Sequence, residues 1–105
     1  MSVDTHVHLM LSADFIRNSL KDHRSQLAQC EVKNLWVFGS VARGDPLARD
    51  LDVLVEFSRR PGLTNFMEVN FLLEDLFGVK VDLHSLGACP ARFYQRIQEE
   101  LQHVA

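Results

Sequence analysis

The stretch Phe38–Val55, FGSVARGDPLARDLDVLV, constrains this chain more than any other. An apolar run, Leu35-Trp36-Val37-Phe38, stops at Gly39-Ser40, and the next apolar run opens with Asp50-Leu51-Asp52. Side chains two apart on a strand share a face. Asp50 and Asp52 therefore stand together, while Leu51 and Val53 point the other way, into a core. Two carboxylates this close repel each other, and partial burial adds to the cost. A divalent cation removes it. Mg²⁺ takes oxygen ligands, keeps several waters, and is commonly held by one or two carboxylates plus substrate phosphates.

The periodicity on either side supplies the frame. Ser12 to about Gln29 reads as an amphipathic helix capped by Ser12, with Phe15, Ile16, Leu20 and Leu27 near one face. Leu35–Phe38 and Leu51–Phe57 read as strands, joined by a loop over residues 39–50 with a helical turn starting at Ser40. Arg59-Arg60-Pro61-Gly62 breaks the pattern. Thr64–Phe77 reads as a helix with Phe66, Val69, Leu73 and Leu76 on one side and Gly78 as its stop. Val79–Leu83 reads as a third strand, Ser85–Pro90 as a loop, and Ala91–Val104 as a last helix with Phe93, Ile97 and Leu101 inward. Strands alternating with helices predict an α/β or α+β domain around one small sheet.

A third acid belongs with the first two. Asp82 interrupts the apolar run VKVDL, sharing a face with Lys80. If the third strand lies beside the second, Asp82 reaches the same metal site, and it is placed to act as general base for an attacking hydroxyl. Gly39-Ser40 supplies the other half. Glycine lets a ligand approach the backbone. The N–H groups of a helix starting at Ser40 would face a phosphate. Arg43, three residues on, reaches the same anion. Taken singly, each feature has a structural explanation: a strand-ending turn, a turn cap, an edge-strand charge, a solvated arginine. Together they are the equipment for phosphoryl or nucleotidyl transfer.

The length of 105 residues suggests one domain, 1–105, with residues 1–11 reading as a flexible N-terminal segment. The formal charge of −3 argues against gripping nucleic acid by charge alone, yet leaves room for a phosphate ligand met by local positive groups. Cys30 and Cys89, in no metal-like spacing, read as reduced thiols of a cytoplasmic protein. No apolar stretch approaches membrane-spanning length, and the N-terminus lacks a signal-peptide layout.

Gly-Ser, nine residues, then Asp-x-Asp resembles the nucleotidyltransferase signature of the DNA polymerase β superfamily. More narrowly, GSVARGD, DLDVLVEF, PGL, FMEVNFLLEDLFG and VKVDL are similar to the minimal nucleotidyltransferases (MNT), the antitoxin halves of type VII HEPN–MNT toxin–antitoxin modules. The similarity runs from about Leu35 through the C-terminal helix. It implies a small mixed β-sheet flanked by helices. It makes Gly39, Ser40 and Arg43 the nucleotide-phosphate group, Asp50 and Asp52 the metal-binding acids, and Asp82 a third metal ligand and base. It implies Mg²⁺, with two metal ions, and ATP as donor of AMP to a tyrosine of a cognate HEPN RNase toxin. No direct nucleic-acid or membrane partner is expected. Arg49 departs from the pattern, standing where many members have Ser before the first acid. Two other readings compete: an antitoxin that acts by binding alone, and a small-molecule nucleotidyltransferase. The absence of a domain to hold an acceptor counts against the second.

Asp4-Thr5-His6-Val7-His8 looks like the first metal motif of amidohydrolases, but that fold is a barrel of roughly 250 residues. His6 and His8 therefore read as at most an adventitious metal pair.

Overall fold

Two helical segments, a hairpin, a crossover helix and a returning C-terminal segment build the computed structural model, which describes residues 11–105. His6 and His8 lie outside the described residues. Helix α1 (Ala13–Leu20) starts where Ser12 predicts, the Ser12 hydroxyl accepting the Phe15 amide at 3.2 Å. The single helix expected to Gln29 is interrupted. A tight turn at Lys21–His23 separates α1 from α2 (Arg24–Gln29), and His23 leaves helical geometry at φ −120°, ψ 18°. The turn contains no buried residue, so no core contact holds it in register, whereas Ile16, Leu20 and Leu27 on either side are buried.

Strand β1 (Val32–Phe38) begins three residues earlier than the sequence predicts, and Gly39–Ala42 form a short helix, α3. Strand β2 (Leu51–Phe57) has the expected bounds. Helix α4 (Leu63–Phe77) ends on Gly78 in the left-handed conformation, φ 65°. Strand β3 runs Val81–Ser85, two residues later than expected. Val79 and Lys80 are needed to bring the chain back from α4: the Lys80 carbonyl accepts the Leu51 amide at 2.9 Å, and Glu74 Oε2 accepts the Val81 amide at 3.2 Å.

The last helix differs most. Helix α5 stops at Ile97 (Ala91–Ile97), a turn follows at Gln98–Glu100, and Gln102–His103 form a strand, β4. The free edge of β1 explains this. Trp36 pairs with His103 and Val37 with Gln102, while Leu35 exchanges backbone hydrogen bonds with Val104 and Ala105. Extended chain satisfies the β1 edge, which a continued helix would leave unpaired.

The sheet is mixed, in the order β3-β2-β1-β4, with β2 and β3 parallel and the other pairs antiparallel. A parallel pair needs a crossover, and α4 provides it. Strand alternation sorts side chains onto two faces. Leu35, Val37, Leu51, Val53, Val55, Val81 and Leu83 join Ile16, Leu20 and Leu27 of α1 and α2 and Val69 and Leu73 of α4 in the main core. On the opposite face Phe38, Leu54 and Ile97 form a smaller cluster, flanked by Trp36, Phe93, Tyr94 and Leu101. Among the described residues, no helix is long and apolar enough to cross a membrane.

Candidate active site

The second face of the sheet also carries the acids. Asp52 shares it with Leu54, and Asp82 shares it with His84. Asp52 pairs with Phe38 across β1 and with Asp82 across β3, so the last residue of β1 and both strand acids lie in one row. Asp50 is exposed just ahead of β2, at the same end. The β2–β3 register thus brings Asp52 and Asp82 together at one end of the sheet, whereas Asp50, expected on the strand beside Asp52, lies just ahead of β2 and outside the sheet.

Gly39 closes the row. Its φ is +72°, a conformation that L side chains rarely adopt, and a Cβ there would overlap Asp52 Oδ2. Glycine is therefore required twice, for the turn out of β1 and for the closeness of the Asp52 carboxylate. Ser40 is half-buried in α3 beside it. The loop that follows holds itself together: the Asp45 amide donates to the Ser40 carbonyl at 3.0 Å, and Asp45 Oδ1 accepts the Leu47 amide at 2.9 Å. Arg43 is at the exposed C-terminal end of α3, with Nη1 3.4 Å from Glu100 Oε2.

The electrostatics are those of a site short of positive charge. Burial pushes the Asp52 carboxyl above its ordinary range; Asp82 adds to this, His84 opposes it, and Asp50 and Glu100 raise it further. No three His, Cys, Asp or Glu side chains among the described residues form a ready metal cage. The donor set instead fits a hard cation that takes one or two carboxylates and fills its sphere with phosphate oxygens and water. Asp52 and Asp82, held in register with His84 only partly opposing their repulsion, are the residues that fit it best, with Asp50 just ahead of the strand.

The sequence reading missed two side chains. His84 extends from β3 on the Asp82 side, its Nε2 3.5 Å from Asp82 Oδ2, and its ring lies 4.8 Å from that of Phe93 and 5.7 Å from that of Phe38. The alternation in VDLHS was the available signal. Glu100 accepts the Gly39 amide at 2.8 Å across 61 positions of sequence, and nothing local marks it.

The family model for the nucleotidyltransferase domain matches residues 16–104. The chain belongs to that family. MJ0128 of Methanocaldococcus jannaschii is 37% identical over 92 residues, which cover 85% of this chain and 94% of that one. The protein adenylyltransferase MntA of Thermococcus cleftensis is 32% identical over 97 residues, covering 90% of this chain and 98% of that one. A chain from the solved complex of an MNT antitoxin with the tri-AMPylated HEPN toxin of Shewanella oneidensis has the same fold, with a TM-score of 0.64 at 16% identity over 89% of this chain and 71% of that one. This nucleotidyltransferase is thus an MNT-type adenylyltransferase. Its two cysteines are free, Cys30 buried and Cys89 half-buried.

Proposed function

We propose that this chain is the antitoxin of a HEPN–MNT module and moves AMP from ATP to a tyrosine of its cognate HEPN toxin, so silencing it. The observation that carries the reading is the in-register pairing of Asp52 with Asp82, facing the Gly39 turn. Likeness in sequence to a protein adenylyltransferase, and in fold to a complex containing an AMPylated toxin, supports the choice of nucleotide and partner.

In this reading Asp50, Asp52 and Asp82 hold Mg²⁺, which when bound would neutralise charge on the nucleotide phosphates. The Gly39-Ser40 turn and Arg43 receive the phosphates. Asp82, the more exposed strand acid at 61%, takes the proton of the acceptor hydroxyl. The tyrosine oxygen forms a bond to the α-phosphorus as the bond to pyrophosphate breaks. The protein acts in the cytoplasm and grips no nucleic acid itself.

Intact mass of the cognate toxin, after incubation with this protein, ATP and Mg²⁺, is the test. A gain of one or more AMP units, absent with the D50N/D52N double variant, is the expected result. No gain in a pair that demonstrably binds overturns the catalytic reading in favour of inhibition by occupancy. AMP found on a small hydroxylated acceptor and never on the toxin points to a small-molecule enzyme instead.

A further inference from the structure

Helix α3 starts without a cap of its own. Its N-cap position is Phe38, which makes no side-chain hydrogen bond to the helix, and Ser, Thr, Asp or Asn would ordinarily stand there. The acceptor comes from elsewhere: Glu100 Oε1 takes the Gly39 amide at 2.8 Å, and Glu100 Oε2 lies 3.4 Å from Arg43 Nη1. Glu100 is itself fixed from both sides. Before it, Ile97 is buried against Phe38 and Leu54. After it, β4 is paired to β1 through His103 and Gln102. The carboxylate is thus delivered to the catalytic turn by the one segment of chain that departs most from the sequence expectation.

A carboxylate here is costly, because its charge adds to the pressure on Asp52 already exerted by Asp82 and Asp50. Its charge is not well used, either. Arg43 is 61% exposed and its contact with Glu100 is long, so the pair is weak. The short bond to Gly39 is the stronger of the two, and an uncharged acceptor of the same length would make it equally well.

We propose that Glu100 is a positioning residue for the nucleotide site, acting as a remote cap that holds the Gly39 amide and the start of α3 in place, and that Arg43 is free to leave it for an incoming phosphate. The nucleotide half of this proposal rests on the function proposed above; the capping half does not.

Four forms of the full chain test it: wild type, E100Q, E100D and E100A. Amide hydrogen exchange at Gly39 is followed by NMR without nucleotide, and the affinity for the Mg²⁺ complex of a non-hydrolysable ATP analogue is measured by calorimetry. E100Q keeps the acceptor and removes the charge. It is expected to retain Gly39 protection and to bind the analogue as tightly as wild type, or up to about fivefold tighter, the range of an exposed ion pair. E100D keeps the charge but is one methylene short, and E100A removes the acceptor. Both are expected to lose Gly39 protection and to bind roughly tenfold more weakly, as for loss of a helix cap. If E100A does not fold, the E100Q and E100D pair decides alone. Gly39 protection unchanged in E100D, or E100Q as damaging as E100D, overturns the proposal. Wild type that fails to bind the analogue overturns the functional reading and the nucleotide half, while exchange at Gly39 still decides the cap.

Discussion

Asp52 and Asp82 are direct partners across the parallel β2–β3 pair, each presenting a carboxylate to the same face. Their proximity sets the pH response of the metal-free protein. The Asp52 pKa in the fold is raised, by burial first and then by Asp82. The folded chain therefore binds that proton more readily than the unfolded chain. The stability it contributes is full below the ordinary aspartate range and is lost as pH rises through the raised value. As pH rises, the metal-free fold must ionise that carboxylate against its burial and the repulsion of Asp82.

The D52N substitution removes that repulsion and with it one of the carboxylates proposed to hold Mg²⁺. In metal-free buffer at neutral pH the variant should melt higher than wild type, by a fraction of the roughly 4–8 °C that about 1 kcal/mol gives a domain of this size. The gain should shrink toward acid pH. Mg²⁺ should raise the melting temperature of wild type and have little effect on D52N. Thermal melts at two pH values, with and without Mg²⁺, check all three. A wild type more stable at neutral than at acid pH, set against an unchanged D52N, would reverse the sign of the argument.

Gly39 and Gly44 make a controlled pair. Both have positive φ, +72° and +75°, but a Cβ at Gly44 meets nothing within 4 Å, whereas one at Gly39 overlaps Asp52 Oδ2. G44A should cost about 1–2 kcal/mol, the strain of a side chain in left-handed geometry, and keep the Mg²⁺ response. G39A should cost more and lose that response, because Asp52 must move. Urea titrations repeated with Mg²⁺ separate the two effects.

Much of this was legible in the sequence. Leu51, Val53 and Val55 fall on the core face and Asp52 on the other, so β2 and the placing of Asp52 follow from a period of two, although Leu54 is buried as well and Asp50 lies ahead of the strand. Gly78 ends α4 as a left-handed cap, which its place after a periodic helix predicts. What failed was non-local. Strand β4 has two residues, too few to show a period, and it exists because β1 offers an unpaired edge. Glu100 reads locally as one more acid near a helix end, and its bond to Gly39 is created by tertiary packing. The early start of β1 and the late start of β3 are both set by strand partners rather than by local propensity.

The cysteines should separate by reactivity. Burial, and then the nearby Glu68 carboxylate, push the Cys30 thiol above its ordinary pKa, so little thiolate forms. Cys89 is half-buried. Iodoacetamide at mildly alkaline pH should label Cys89 in the folded protein and Cys30 only after denaturation. Peptide mapping reads the order, and equal labelling of both thiols in the native state would contradict it.

Leu54 links core to site. It is fully buried and joins Phe38, the last residue of β1, to Ile97, the last residue of α5. The side chains that carry Gly39 and Glu100 into contact therefore rest on it from both directions. L54A should cost about 2–5 kcal/mol, as other leucine-to-alanine cavities do. It should also weaken binding of the Mg²⁺ complex of an ATP analogue, although Leu54 belongs to the apolar cluster with Phe38 and Ile97. L73A opens a cavity in the main core behind the sheet, where Leu73 is equally buried, and should cost similar stability while leaving nucleotide affinity near wild type. Chemical denaturation and calorimetry on the two variants provide the comparison. Equal loss of affinity in both would mean that the site responds to overall stability and not to the packing beneath Phe38.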